Sequence, residues 1–158
     1  MTAESDPLAK LRALGLDLLP VARPVGSFVA AVRHRDLIFL SGQGPRDGAG
    51  EWRRGKVGQD RTAQEAYDDA RLVGLNLLSV LHAELGSLRR VRRVIKLLGM
   101  VNAVPDFMQH PQVINGCSDL LLEVFGPNIG AHARSAVGMG SLPGNISVEI
   151  EAIVAVED

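Results

Sequence analysis

The residues that decide the fold are HARSAVG at positions 132–138, LPGN at 142–145 and VEIEA at 148–152. They predict two strands joined by a tight connection, because Pro143 presets φ and Gly144 tolerates a positive φ. The second strand alternates strictly, and Glu149 and Glu151 lie on one of its faces. The other face carries only apolar residues, namely Val148, Ile150, Ala152, Val154 and Val156. This pattern predicts a strand with one face in the core.

Arg134 lies in the first of these strands, and Glu149 would lie close to it across a hairpin. Two interpretations are open at this point. One is an exposed cross-strand ion pair between Arg134 and Glu149 or Glu151, since such surface pairs are common and contribute little stability. The other is a binding site, because a guanidinium can hold a planar carboxylate by two hydrogen bonds.

Composition and charge restrict the class of protein. With 158 residues, 46% of them hydrophobic, the chain is long enough for one domain with a packed core. The net charge of −1 argues against general electrostatic binding of nucleic acid. Cys117 is the only cysteine, so no disulfide can form within the chain, which fits a reducing cytoplasm.

The sequence shows no recognisable segment for export, membrane insertion or metal binding. The first residues, Met1–Asp6, are acidic and polar, unlike a secretory signal, and no apolar run reaches the ~20 residues that span a membrane. The histidines lack the paired spacing of metal ligands and are scattered at His34, His82, His110 and His132. We therefore expect a cytoplasmic protein that needs no metal ion.

The order of predicted elements places the chain in the α+β class. We predict a helix over 7–19 that ends at Pro20, strands over 28–32 and 37–40 in a hairpin, and a short edge strand between 52 and 57. A helix should follow from a capping box at 62–65 to Gly86, then a strand over 91–101 buried on both faces, then a helix from 111 to 125.

These elements predict two helices over one face of a mixed sheet. The other face then needs a partner, and a second copy of the chain is the simplest one.

Cys117 falls on the apolar stripe of the second long helix, which predicts an inert core thiol. Gly126 should stop that helix, and Gly116 should weaken it.

Two motifs resemble segments of one protein family. The first comprises Ala133-Arg134-Ser135, Leu142-Pro143 and Glu149-Ile150-Glu151-Ala152, and the second is IFLSGQGP at residues 38–45. In this order and spacing they resemble the RidA/YjgF family of imine and enamine deaminases, members of which are also described as L-PSP endoribonucleases or translation initiation inhibitors. The resemblance covers roughly residues 24–156. It implies a chorismate-mutase-like domain over 24–158, an extension with a short helix over 1–23, and a homotrimer with sites between subunits.

The resemblance also implies roles for several residues. Arg134 matches the family's carboxylate-binding arginine, and Glu149 matches the glutamate near the reactive water. Gly42 matches the glycine of a Ser-Gly-Gln segment, so that Ser41 or the backbone around Gly42 would lie against the substrate. Asn115 matches an asparagine of the pocket if a short insertion lies at residues 109–112.

Two pocket positions depart from the family pattern. Phe28 stands where deaminase members have tyrosine, and Ala136 stands where they often have cysteine. The segment GMGS at 138–141 also lacks the bulkier residues that are common there in the family, which would widen the cleft. These departures imply a substrate that can differ from 2-aminoacrylate.

The function predicted from this resemblance is the hydrolytic deamination of small 2-imino or 2-enamino acids to 2-keto acids and ammonia. Arg134 would anchor the carboxylate and Glu149 would position or activate water as general base, with no cofactor. Two alternatives remain, a non-catalytic binder of small carboxylates and an enzyme of the endoribonuclease type. The balanced charge and the aromatic content of 4% argue against RNA as a substrate.

Overall fold

A computed structural model describes residues 6–157, so Met1–Ser5, part of the segment that argued against a secretory signal, lie outside the described residues. The helices are α1 (Pro7–Ala13), α2 (Ala63–Leu85) and α3 (His110–Gly130). The strands are β1 (Ala31–His34), β2 (Leu37–Gln43), β3 (Val91–Asn102), β4 (Ala133–Met139) and β5 (Val148–Val156). Short 3-10 turns at Leu88–Arg90 and Pro143–Asn145 precede β3 and β5.

The five strands form one mixed sheet in the order β1-β2-β5-β3-β4. β3 and β4 are parallel, while the other neighbouring strands are antiparallel. α2 and α3 pack on each other and on β3 and β5, so both lie on one face of the sheet. The predicted α+β class, with two helices over one face of a mixed sheet, is confirmed.

The long helix α2 follows its sequence signals. Thr62 and Glu65 form the predicted capping box, and Gly86 ends the helix with a φ of 74°. α3 crosses α2 closely at Gly116, where an added Cβ would clash with the Tyr67 carbonyl oxygen. Gly116 therefore permits close helix packing, which outweighs its low helix propensity.

The predicted hairpin between the last two strands is wrong. β4 and β5 are not neighbours, because β3 lies between them and pairs with both. The turn at Pro143–Asn145 forms as predicted, with φ values of 61° at Gly144 and 58° at Asn145. This turn leads the chain past β3. The apolar strand β3 therefore has a hydrogen-bonded strand on each side, β4 and β5.

The prediction that β3 is buried on both faces is also wrong within one chain. Leu97 and Val101 are fully buried under the helices. On the opposite face Lys96 is exposed, while Leu98 and Met100 are half-buried. The helices cover only one side of the sheet, and nothing in the described part of the chain forms a layer on the other.

The N-terminal helix is shorter than predicted. α1 ends at Ala13, and Gly15 follows with a φ of 72°, so the chain leaves the helix well before Pro20. An arm without regular structure follows and packs on its own subunit, where the Leu19 N–H donates to Ser79 Oγ at 2.9 Å.

Three further boundaries differ from the predictions. β1 begins at Ala31, so Phe28 precedes the strand, and the hairpin turns at Arg35, which has a φ of 56°. No strand forms between 52 and 57, where only isolated bridges occur. Gly126 breaks α3 with a φ of 75°, yet a helical turn resumes as far as Gly130.

Candidate active site

The predicted site residues fall into two groups on opposite faces of the sheet. Glu149 pairs with Met100 of β3 on the face that the helices leave open. Arg134 pairs with Leu97, which is fully buried under the helices. Because laterally paired residues point to the same face, Arg134 lies on the helix-covered face, at the edge of the sheet. The interpretation of Arg134 as a cross-strand partner of Glu149 or Glu151 is therefore wrong.

The group around Glu149 lines a cavity of about 420 Å³. Phe28 and Gly42 line the same cavity, as predicted residues of the site. Its other walls are mainly apolar and include Val25, Pro24, Trp52, Pro143 and Ile146, with Arg23 and Arg54 as cations. Arg54 is held by a 3.0 Å hydrogen bond from its Nε to the Gly144 carbonyl oxygen. These cations and Trp52 were not predicted as site residues, since no local sequence pattern links them to Glu149.

A bulge in β2 brings Gly42 against Glu149. Between the pairs Leu40–Ala152 and Gln43–Ile150, β2 has one residue more than β5. A Cβ added at Gly42 would lie 2.8 Å from Glu149 Oε1 and 3.0 Å from its Cδ. Gly42 thus leaves the space that the Glu149 carboxyl group occupies, while contact of the Gly42 backbone with a substrate stays a prediction.

The environment of Glu149 favours its protonated form. The side chain is half-buried, and its pKa is raised, first by desolvation and then by the negative charge of Glu151. No cation or donor among residues 6–157 offsets these effects. A carboxyl group with a raised pKa holds a proton more readily than a solvated one and can return it, as a general acid–base catalyst requires.

Ser41 lies beside this cavity rather than in its wall. Its hydroxyl donates to the Val29 carbonyl oxygen at 2.7 Å, and its N–H donates to the Ala30 carbonyl oxygen at 2.9 Å. These bonds hold the segment that carries Phe28, whose side chain is half exposed at the cavity. Contact of Ser41 with a substrate stays a prediction.

The second group surrounds Arg134 on β4. One terminal nitrogen of the guanidinium, Nη1, donates to Ser118 Oγ at 3.0 Å. The other, Nη2, donates to the Pro111 carbonyl oxygen at 3.2 Å. Both acceptors belong to α3 and carry no charge. The positive charge of Arg134 therefore stays available for an anion.

Two residues that the sequence analysis did not select complete this group. His132 Nε2 lies 2.9 Å from Ser118 Oγ, and His132 Nδ1 lies 2.6 Å from the Gly130 carbonyl oxygen. The sequence did contain a signal for each. His132 precedes Arg134 by two residues, the repeat of a strand, and Ser118 is a polar residue on the apolar stripe of α3.

Ala136 and Asn115 belong to the side of the sheet that carries Arg134. Ala136 follows Arg134 by two residues on β4 and packs against the core. Asn115 is half-buried on α3, three residues before Ser118. Neither residue lines the cavity with Glu149. Their part in substrate binding stays a prediction.

Cys117 is buried in the core, as predicted. Burial raises the pKa of its thiol to about 12, although the nearby charge of Arg134 acts to lower it. Arg134 is thus the basic neighbour that the sequence did not reveal. Desolvation outweighs it, so the thiol stays protonated and unreactive.

Neither a cluster of metal ligands nor a membrane-spanning helix occurs in the described residues. Within 6–157, no three or more His, Cys, Asp or Glu side chains cluster as a metal site would require. No helix in the same range has both the length and the apolar character needed to cross a membrane.

Comparison with known proteins identifies the family. The family model described as "YjgF/chorismate_mutase-like, putative endoribonuclease" matches residues 8–152. Protein TCP17 of Trypanosoma cruzi is 40% identical over 146 residues, which cover 92% of this chain and 91% of that protein. The range matched by the family model includes nearly all of the sheet and both long helices.

Solved structures agree with this family. The crystal structure of protein Atu1372 from Agrobacterium tumefaciens has a TM-score of 0.88 at 39% identity, over 98% of this chain and 94% of that one. A protein from Shewanella oneidensis MR-1, named a putative endoribonuclease, has a TM-score of 0.92 at 31% identity, over 96% and 99% of the two chains. The chain therefore belongs to the YjgF/chorismate-mutase-like family, which confirms the family and the fold that its two sequence motifs predicted.

Proposed function

We propose that the protein hydrolyses small 2-imino or 2-enamino acids to 2-keto acids and ammonia without a cofactor. The observation that carries this proposal is the Glu149 carboxyl group, which has a raised pKa, lines an apolar cavity and lies against Gly42. A carboxyl group in such surroundings serves as general base and then as general acid. A cytoplasmic location would suit this chemistry and the free thiol of Cys117.

The proposed reaction needs one water molecule and returns every proton. An enamino acid first takes up a proton from solvent at its terminal carbon and becomes the iminium ion. Glu149 accepts a proton from water while the oxygen attacks the C=N carbon, which gives a tetrahedral amino alcohol. The protonated Glu149 then donates to the nitrogen, the C–N bond breaks as the hydroxyl proton returns to solvent, and ammonia and the 2-keto acid leave.

Arg134 is the proposed anchor of the substrate carboxylate. A guanidinium has five N–H groups, and Ser118 and Pro111 accept from two of them. Within residues 6–157, the other three N–H groups of Arg134 have no acceptor, so they remain for a ligand. They can form the two-pronged contact that orients a planar carboxylate.

One subunit cannot bring Arg134 and Glu149 to the same small substrate. Their strands are separated by β3, and their pairing partners on β3 are three residues apart. From strand spacing and rise, their backbones lie roughly 14 Å apart, with side chains on opposite faces. We therefore propose that Arg134 of one subunit meets Glu149 of another.

The open face of the sheet supports self-association. Phe39 and Ile153 pair on this face, and Phe39 is 43% exposed in the single chain. Val32 and Val137 add exposed apolar surface on the two outer strands. A homotrimer, as the family resemblance implies, would cover this surface and bring the edge strand β4 to a neighbouring cavity.

The test combines binding with turnover. Calorimetry with 2-ketobutyrate measures the anchor, and ammonia release from an imine generated in situ measures hydrolysis. We expect Arg134→Ala to abolish both and Arg134→Lys to retain a small part, because lysine loses the fork. Glu149→Gln should keep binding and lose hydrolysis by about 10²–10⁴-fold.

Arg12→Ala and Glu84→Gln serve as matched controls, since both side chains are exposed on helices away from the site. If Arg134→Ala binds and hydrolyses like the parent, the proposal is wrong. If Arg134 is needed for binding but the parent hydrolyses no imine, the protein is a carboxylate-binding protein without this activity.

A further inference from the structure

Three side chains form a continuous hydrogen-bonded series that ends at Arg134. The Gly130 carbonyl oxygen lies 2.6 Å from His132 Nδ1, and His132 Nε2 lies 2.9 Å from Ser118 Oγ. Ser118 Oγ in turn lies 3.0 Å from Arg134 Nη1. The series links the end of α3, the residue before β4 and the middle of α3.

The direction of each hydrogen bond follows from what the groups can donate. A carbonyl oxygen only accepts, so Nδ1 of His132 must carry the proton that bonds to Gly130. In neutral histidine, Nε2 is then an acceptor, and the Ser118 hydroxyl donates to it. A guanidinium only donates, so the lone pairs of Ser118 face Arg134.

We propose that Ser118 and His132 are positioning residues that hold the Arg134 guanidinium in the orientation that binds the substrate carboxylate. This inference rests on the proposed function, in which Arg134 is the anchor. Without His132, the Ser118 hydroxyl would lose the acceptor that fixes its direction, so its lone pairs would be held toward Arg134 less firmly. Without Ser118, the Pro111 carbonyl oxygen would be the one acceptor among residues 6–157 that holds the guanidinium, and the long Arg134 side chain would be free to turn.

A serine bonded to a neutral histidine could also be read as a nucleophile and its base. Burial argues against this reading, because only 7% of the Ser118 surface is accessible. Its oxygen also already accepts from Arg134, which withdraws electron density from it. The same contacts suit a residue that acts through Arg134.

The first measurement is independent of any activity. Long-range ¹H–¹⁵N NMR of the full-length protein at mildly alkaline pH reports which nitrogen of His132 carries the proton. We expect Nδ1 protonated and Nε2 unprotonated, and a Ser118→Ala change should shift the Arg134 Nε–H signal. A proton on Nε2 would overturn the inference.

The second measurement is the affinity for 2-ketobutyrate and the KM and kcat of imine hydrolysis. A hydrogen bond to a charged group is worth roughly a tenfold or larger effect, so we expect Ser118→Ala and His132→Phe each to raise Kd and KM by about that factor. The kcat should change little, because a carboxylate anchor holds substrate and transition state alike. His132→Gln should restore much of the affinity, since its amide oxygen can accept from Ser118.

The matched control is His34→Gln, whose side chain is exposed. If Arg134→Ala abolishes binding while Ser118→Ala and His132→Phe remain like the parent, the positioning role is wrong and the anchor stands. If Arg134→Ala is itself without effect, the proposed function fails instead. Covalent labelling of Ser118 by a fluorophosphonate would establish the nucleophile reading and overturn the inference.

Discussion

Arg134 and Glu149 lie on opposite faces of one sheet, and β3 separates the strands that carry them. A site that needs both residues must therefore combine two subunits. This relationship yields a sharp prediction for mixed oligomers. When Arg134→Ala and Glu149→Gln chains are unfolded together in equal amounts and refolded, about a quarter of the sites in a random cyclic trimer should receive both intact residues.

The measurement is the imine hydrolysis of the mixture against each variant refolded alone. Each variant alone should be inactive, and the mixture should regain up to about a quarter of the parental rate. Light scattering on the same samples reports the assembly. A mixture of assembled trimers that stays inactive would show that both residues act within one subunit or not at all.

Gly42→Ala tests the contact between β2 and the general base. The added Cβ would meet the Glu149 carboxyl group at 2.8–3.0 Å, so the side chain must turn away. We expect hydrolysis to fall by about tenfold or more, as for other small displacements of a catalytic group, with a smaller effect on thermal stability. Gly48→Ala is the control, because a Cβ there would meet only Leu19 Cδ2, at an ordinary 3.7 Å. Equal rates for the two variants would contradict the role of this contact.

The raised pKa of Glu149 predicts a particular pH dependence. Because the base must be ionised, hydrolysis should rise through a pH above the usual carboxyl range, and Glu149→Gln should remove this rise. The raised pKa also affects stability. The Glu149 carboxyl group contributes fully to the free energy of unfolding below its pKa in the unfolded chain, and this contribution is lost as the pH rises through its pKa in the folded protein.

Glu149→Gln should therefore stabilise the fold at neutral pH and make little difference in acid. Thermal unfolding of the parent and of Glu149→Gln, measured from acid to neutral pH, shows whether the difference in stability has this sign. A variant that is less stable than the parent at neutral pH would mean that the carboxylate is compensated in the assembled protein.

Cys117 should behave as a core residue. Its pKa of about 12 leaves almost no thiolate near neutral pH, so a disulfide reagent should react slowly with the folded protein and fast after unfolding. Since burial raises the pKa of this thiol from its ordinary 9.0 to about 12, its contribution to stability should persist below pH 9.0 and decline as the pH rises toward 12.

Cys117→Ser should cost about 1 kcal/mol or more of unfolding free energy, because it buries a hydroxyl. Denaturant unfolding gives this value, and hydrolysis by the folded variant should match that of the parent. Loss of hydrolysis in a variant that stays folded would indicate a chemical role for the thiol.

The sequence by itself determined the features that depend on neighbours along the chain. Thr62 and Glu65 cap α2 and Gly86 ends it, because helix ends are specified by local hydrogen bonds and by one residue that accepts a positive φ. The alternation of Val148 to Val156 fixed which face of β5 is buried, since the side-chain period of a strand is two. Two short motifs were enough to identify the family.

Only the tertiary structure decided which strands are neighbours. A local pattern predicted a hairpin of β4 and β5, but β3 inserts between them, because strand order depends on how distant segments compete for burial under α2 and α3. That insertion separates Arg134 from Glu149. The contact of Gly42 with Glu149 and the series from His132 through Ser118 to Arg134 also join segments far apart in sequence. Local patterns could mark His132 and Ser118 one by one, but not show that they meet at Arg134.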